Sequence, residues 1–405
     1  MHHMHITDCV GANLGLQAAL TLQRHGIKST IYERRPENYH DSRGNSLGIS
    51  PNALRVLAHL GVYEAIRAEG CESDVFPFRR PDGSVVDVLT WGGKHLFGYS
   101  TVRLLRGRLL HQLKSAVHRH EITIHYECGV DHVVQEDGDS ITFALSNGAT
   151  RTADLIIAAD GTHSKIRKQY FPQAEPVFQN MVAVFGTTRS SDIALPSPKY
   201  TLPGAVITSK GAVLIIPTVP DESVAAVVRQ FPLPDRQKEE WERLQASPAD
   251  MFQLICSDID TFPNVARTAI QNIDQSTLTI WPHRLSPMLD DWHSPGGKAV
   301  LVGDATHTIP PSAAQGANQA IEDAHTLALA ITMANERKSG IREAVLTWQE
   351  CRKRRRYAVL EFNEQMNQRR STLSAVQGVK PLDPEGLRWL YGYDATVELL
   401  ARFEH

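Results

Sequence analysis

The sequence predicts an α/β chain: a Rossmann-like parallel layer built from discontinuous segments, a second layer of mixed sheet, and helices at the C-terminal end. Three observations predict it. An apolar stretch ending at Val10 turns through Gly11-Ala12-Asn13 into Leu16, Ala19, Leu20 and Leu22 at helical spacing, then through Gly26 into an alternating strand over 27–32. Two short buried-type strands, 155–159 and 299–302, recur far down the chain, each leading into a Gly/Asp turn. Between about 177 and 284 the patterning changes to strands, notably 212–216 and 224–229 around the turn Pro220-Asp221-Glu222.

In chain order, the βαβ opening of about 30 residues closes on the acidic Glu33, the arrangement of a dinucleotide-binding unit. A helix follows from Pro51, with Ser50 as its N-cap type and proline at its first position. Residues 76–97 are rich in Pro, Gly and aromatics and turn at Pro81-Asp82-Gly83, an excursion from the first layer. A helix over 106–118 and strands over 122–126, 130–134 and 141–145 precede the buried run 155–159. After the strand 299–302, a Gly-rich connection leads into a long helix from about 315 to 334. The tail from 341 onward is helical and charged. Its basic run Arg352-Lys353-Arg354-Arg355-Arg356 is expected as a solvated helix face.

Composition excludes several classes of function. Forty-two Lys plus Arg stand against 45 Asp plus Glu, a net charge of −3, which argues against a nucleic-acid partner. No apolar run approaches the ~18 residues of a transmembrane segment, and no signal-peptide pattern opens the chain, so a cytoplasmic location is expected. Five cysteines, Cys9, Cys71, Cys128, Cys256 and Cys351, are scattered and odd in number, so neither disulfides nor a thiolate metal site is expected. His2, His3 and His5 read as a ragged terminus rather than a metal site, and no metal is expected.

The chemistry lies in the turns. Gly11 to Gly15 would present backbone N–H groups to a pyrophosphate at a helix start. It departs from G-x-G-x-x-G, because Asn13 stands near the second glycine's place and the loop is one residue short. Such a loss displaces N–H groups by up to ~3.5 Å. Glu33 can accept hydrogen bonds from a ribose hydroxyl pair, and Arg34 can stack on or neutralise an adenylate. Downstream stand Asp160-Gly161-Thr162-His163-Ser164-Lys165-Ile166-Arg167 and Gly303-Asp304-Ala305-Thr306-His307, the latter followed by Pro310-Pro311-Ser312-Ala313-Ala314-Gln315-Gly316-Ala317-Asn318. Together these blocks resemble the FAD-dependent aromatic hydroxylases, the single-component flavoprotein monooxygenases related to salicylate and para-hydroxybenzoate hydroxylase.

The resemblance implies a Rossmann-like FAD-binding domain assembled from 1–75, 98–176 and 285–370, a substrate domain from the excursion 76–97 and the sheet region 177–284, and a helical tail 371–405. It places Ser46, in Gly44-Asn45-Ser46-Leu47-Gly48, against FAD. Arg106 matches the family's cofactor-contacting arginine, with Arg103 and Arg108 as neighbours in contention. Asp304 would hold the ribityl or ribose portion, Gly303 would allow close backbone approach, and the helix opening at Gly316-Ala317-Asn318 would aim its N–H groups at the flavin's pyrimidine edge. Asp160 and Arg167 resemble the family's second fingerprint, which implies contacts with FAD and the nicotinamide cofactor. His307 is expected to serve a structural hydrogen bond rather than a proton shuttle, and Pro311 to shape the pocket wall.

The implied activity uses NADH or NADPH and O2 to hydroxylate or epoxidise a small hydrophobic substrate, aromatic or polycyclic, through a flavin hydroperoxide. No protein nucleophile is needed, so no catalytic residue is assigned; His307, Pro311 and Arg189 are the candidates. Pocket candidates are Phe185, Arg189, Tyr200, Val213, Ile215, Trp281, Pro282 and His283. Phe185 stands where salicylate hydroxylase-like members carry an arginine, which favours a neutral substrate over a carboxylate. A monomer or homodimer is expected. The alternatives are an oxidase or cyclase on the same fold, or a small-molecule binding protein that has lost FAD through the shortened first loop.

Overall fold

The computed structural model describes residues 3–8, 13–39, 45–337, 340–371 and 382–403, with residues 3–8, 13 and 369–371 as backbone only. Gly11, Ala12, Cys9 and His2 lie outside the described residues, as do the side chains of His3 and His5. The first layer is a five-stranded sheet in the order Ala299–Leu301, Ile156–Ala159, His3–Asp8, Lys28–Glu33, Thr123–His125, every pair parallel. Ile156–Ala159 and Ala299–Leu301 are buried at every position, as strands covered on both faces must be. The helices Asn13–Arg24, Arg106–Arg119 and Gly316–Arg337 pack around this sheet.

The second layer is a seven-stranded mixed sheet in the order Asp274–Leu285, Val177–Arg189, Val224–Pro232, Gly211–Pro217, Gly204–Thr208, Val75–Arg79, Val85–Thr90. The excursion therefore supplies two strands to the distant sheet, joined through the single parallel pairing of Val75–Arg79 with Gly204–Thr208. Three helices that strand patterning had not disclosed, Lys238–Ala246, Pro248–Ile255 and Asn264–Gln271, cover one face. Val206, Val213, Ile215 and Val227 pack beneath them with Trp241, Met251 and Ile255. The alternate residues Ala205, Ile207, Leu214 and Ile216 form the opposite face, against Ile309, Ala313, Val359 and Phe362. That face looks toward the connection between Ala299–Leu301 and Gly316–Arg337.

Two three-stranded sheets complete the architecture. Ser46–Ile49, Thr101–Leu105 and Cys71–Ser73 form one, and Thr150–Ala153, Ile141–Leu145 and Val130–Glu136 the other. The 31-residue helix Ile341–Ser371 closes the molecule with Ala395–Phe403. Its basic run is not a solvated face. Arg352, Arg355 and Arg356 are buried and only Arg354 is exposed, because the helix lies across two buried carboxylates of Gly316–Arg337. No described helix is long and apolar enough to cross a membrane, and no His/Cys/Asp/Glu cluster among the described residues is arranged to hold a metal. Cys71, Cys128, Cys256 and Cys351 are free thiols.

Candidate functional site

The strand Ala299–Leu301 ends against a crowded turn. Gly303 adopts φ 57°, and a Cβ there would lie 2.3 Å from Leu14 Cδ1 and 3.2 Å from Ala320 Cβ. Only glycine lets this turn wedge between the first helix and the long helix. Asp304 follows in a short helical turn, Asp304–His307. Burial pushes its carboxyl pKa up, and the charges of His307, Arg106 and Arg167 oppose that rise.

This electrostatic neighbourhood separates the three arginines in contention. Arg103 is buried and donates to Pro217 O at 2.8 Å and to Glu222 at 3.3 Å, tying the first layer to the second sheet. Arg108 pairs with Glu69 on the surface at 2.6 Å. Of the three, Arg106 is the one whose charge acts on Asp304; its backbone N–H donates to Asn45 O at 2.9 Å. Ser46 begins the strand paired with Leu105, so it sits beside Arg106.

The second fingerprint meets the same loop. Asp160 is buried, and its Oδ2 accepts the N–H groups of Lys165 at 2.8 Å and Ile166 at 3.4 Å, capping the helix Lys165–Tyr170. Its Oδ1 has no partner. Arg167, also buried, donates to Asp304 O at 3.2 Å, to Ala305 O at 3.0 Å and to Thr162 O. Two loops about 140 residues apart in sequence are thus bolted together by one guanidinium.

His307 is buried and hydrogen-bonded through one ring nitrogen. Its Nε2 lies 2.5 Å from Asp323 Oδ2, which also accepts Gly303 N–H at 3.0 Å. Asp323 Oδ1 accepts from Arg352 Nε at 2.6 Å. Burial opposes the charge of Asp323, but His307 and Arg352 outweigh it and hold its pKa at about 2. The adjacent Glu322 accepts from Arg352 at 2.6 Å, Arg355 at 3.0 Å and Asn52 at 2.6 Å. Asn52 also receives the Ser50 hydroxyl, so Ser50 stands at the N-cap of Pro51–His59 without capping it through its side chain. Sequence reasoning missed this network, although Glu322-Asp323 within an otherwise apolar helical run was the available signal.

Gly316 opens the long helix, and a Cβ there would meet nothing within 4 Å. Asn318 uses its side chain to hold the strand Ser46–Ile49, donating to Gly48 O at 3.0 Å and accepting Ser50 N–H at 3.0 Å. What remains at this end are the first-turn backbone N–H groups of Gly316, Ala317 and Asn318, which have no intrahelical partner. Pro311 starts the turn Pro311–Ala313, whose Ala313 N–H is held by Asn363 at 3.0 Å. Asn45, also missed from sequence, is buried with both amide atoms unpartnered.

At the other end of the predicted site, Glu33 is buried, accepts Arg35 N–H at 2.8 Å through Oε1, and has its pKa raised by burial. Arg34 is exposed, and Gly15 is buried within the first helix. Several pocket candidates are corrected. Val213 and Ile215 pack beneath the three covering helices with Tyr200 against the same core, on the face turned away from Asp304. Arg189 is exposed at the end of its strand and Trp281 is also exposed, whereas Phe185 and Pro282 are half-buried and His283 is buried.

The residues present fit a flavin dinucleotide. The open helix start at Gly316 supplies donors, and the buried Asp160 Oδ1 and Asn45 amide are polar groups left without a protein partner. Residues 9–370 match the family described as FAD binding domain, and the chain belongs to that family. It is similar to the FAD-dependent monooxygenase atmM of Aspergillus flavus, 27% identical over 332 residues covering 78% of this chain and 67% of that one. It is likewise similar to 3-amino-4-hydroxybenzoate 2-monooxygenase of Streptomyces cremeus, 25% identical over 404 residues covering 95% and 94% of the two chains. In fold it resembles CtdE crystallised with FAD and substrate, at TM-score 0.79, 20% identity, and coverage of 100% of this chain and 98% of that one. The protein is a flavoprotein monooxygenase of the FAD-dependent aromatic hydroxylase family.

Proposed function

We propose that this monooxygenase uses NADH or NADPH and O2 to hydroxylate or epoxidise a small hydrophobic substrate, aromatic or polycyclic. The observation that carries this reading is the junction itself: Arg167 bolts the 160–167 and 303–307 loops together, and the apolar face of the seven-stranded sheet looks onto that assembly. FAD, when bound, supplies the electron transfer and oxygen chemistry. The chain supplies the rest. Residues 1–75, 98–176 and 285–370 form the FAD-holding part, and 76–97 with 177–284 form the substrate part.

Within that division, Glu33 and Arg34 serve the adenosine end, and Asp304 serves the ribityl or ribose hydroxyls as a charge-assisted acceptor. Ser46, Arg106 and Asp160 line the cofactor between them. The helix start at Gly316, Ala317 and Asn318 stabilises negative charge through its free N–H groups. The charges of Arg284, Arg167 and Lys238 act on His163, just past Asp160-Gly161, with Glu175 opposing them, and a mainly cationic field there suits the phosphates of a transiently docked nicotinamide dinucleotide. Ile207, Leu214, Ile216 and Ile309 exclude water from the substrate side.

The test is the visible spectrum of the purified protein together with NADH and NADPH oxidation in air, with and without a panel of arenes. A flavin band with arene-stimulated oxidation and recovery of an oxygenated product is the expected result. Stimulated oxidation yielding only hydrogen peroxide, with no oxygenated product from any arene, would exclude the reading. Asp304→Ala should weaken FAD binding by about 10- to 100-fold, the loss of one charge-assisted hydrogen bond. Unchanged affinity in a fluorescence titration removes Asp304 from the site.

A further inference from the structure

Both ends of the turn that carries Asp304 are held by one oxygen atom. Asp323 Oδ2 accepts Gly303 N–H at 3.0 Å, where the turn leaves its strand, and lies 2.5 Å from His307 Nε2, where the turn ends. The turn also closes on itself, His307 N–H donating to Gly303 O at 2.8 Å. Its middle is gripped from the second fingerprint by Arg167, through Asp304 O and Ala305 O. Asp323 belongs to Gly316–Arg337, so it is the long helix that fixes where the two ends stand.

This carboxylate is itself aimed. Its Oδ1 accepts from Arg352 Nε at 2.6 Å, while the other nitrogens of Arg352 donate to Glu322 at 2.6 Å and to Gln319 Oε1 at 2.9 Å. A carboxylate clamped at one oxygen presents the other in a fixed direction, and here that direction is the turn. Burial alone would raise the pKa of Asp323, but His307 and Arg352 outweigh it and hold it at about 2, so the group is ionised at neutral pH. An ionised carboxylate only accepts, so the proton of the 2.5 Å contact sits on His307 Nε2.

We propose that Asp323, aimed by Arg352, is the positioning residue of the cofactor-holding turn: by binding Gly303 and His307 together it sets the Asp304 carboxylate at the place where FAD needs it. This rests on the reading of Asp304 as an FAD-holding group and deepens it. Asp323 touches no cofactor atom in this account; it acts through Asp304, and a small displacement of a charge-assisted acceptor forfeits most of the worth of its hydrogen bond.

The experiment follows FAD release on dilution of the holoprotein, read by flavin fluorescence, in wild type, Asp304→Ala, Asp323→Asn and the double variant. Asp323→Asn should weaken FAD binding about tenfold when Asp304 is present and by no more than about twofold in the Asp304→Ala background, because the two act as one unit. A merely structural aspartate would give the same factor in both backgrounds. Should Asp323→Asn fail to fold, His307→Leu and His307→Gln decide in the same two backgrounds: leucine removes one end of the hold and should cost about three- to tenfold with Asp304 present, glutamine can still donate to Asp323 and should restore part of it, and neither should matter once Asp304 is gone. In the wild type, nitrogen-15 NMR should find the proton on His307 Nε2. A bare Nε2, equal losses in both backgrounds, or no loss in either overturns the positioning role while leaving Asp304 in the site. Unchanged affinity in Asp304→Ala overturns the Asp304 reading and this inference with it.

Discussion

At Gly303 a single hydrogen atom decides whether the cofactor loop can close. The Cβ of an alanine would collide with Leu14 Cδ1 at 2.3 Å, in a backbone conformation that L side chains rarely adopt. Gly303→Ala should lower stability by about 1–3 kcal/mol in urea unfolding. Adding Leu14→Ala should return only the steric part. The buried carboxylates are similarly sensitive. Glu322→Gln leaves Arg352 and Arg355 short of a countercharge in a site closed to water and should cost about 3–5 kcal/mol. A loss under 1 kcal/mol would show that water enters and solvates the network. At this scale the sequence disclosed Gly303 and Asp304 through their turn position. It did not disclose the partners of Arg352, which lie about 30 residues away on another helix.

Elements show where local pattern suffices and where it does not. The opening βαβ unit follows from period-2 and period-3.6 runs punctuated by Gly26, and the structure reproduces it with Asn13–Arg24 and Lys28–Glu33. The helices covering the second sheet were hidden, because Lys238–Ala246 is mostly charged and buries only Trp241 and Leu244. One buried side chain organises that cover. Arg229 donates to Ile255 O at 2.7 Å and Ser257 O at 2.6 Å, satisfying carbonyls at the C-terminal end of Pro248–Ile255. Arg229→Met should leave those carbonyls unmet and lower the unfolding free energy by about 1–3 kcal/mol. FAD affinity should not change, since the helix lies on the face turned away from Asp304; a parallel fall in both would contradict that separation.

For the whole molecule, acid is the revealing variable. His325 is buried in Gly316–Arg337, bonded to Thr396 at 2.9 Å and stacked on His59 at 6.2 Å, and burial with the His59 charge pushes its pKa down to about 4. His283 is pushed down to about 4 by burial alone. Because both folded-state values lie below the ordinary 6.5, the unfolded chain takes up protons first as pH falls. The stability that these two histidines contribute is therefore full above pH 6.5 and is lost between there and about pH 4, by roughly 1.4 kcal/mol per pH unit for each. His325→Gln should halve this contribution to the slope of unfolding free energy against pH; an unchanged slope would mean that His325 is protonated in the folded protein.

What the sequence by itself determined is what near neighbours along the chain determine: the strands and helices of the first layer, the Gly-Asp and Asp-Gly turns, and through them the FAD family. Tertiary structure alone decided which of Arg103, Arg106 and Arg108 acts by its charge on Asp304, which alternate residues of Gly211–Pro217 face the cofactor loop, and that a basic run at 352–356 is interior. The physical reason is the range of the interactions. Backbone propensity and turn chemistry act over a few residues, whereas a buried charge takes its meaning from the carboxylate that packing brings to it.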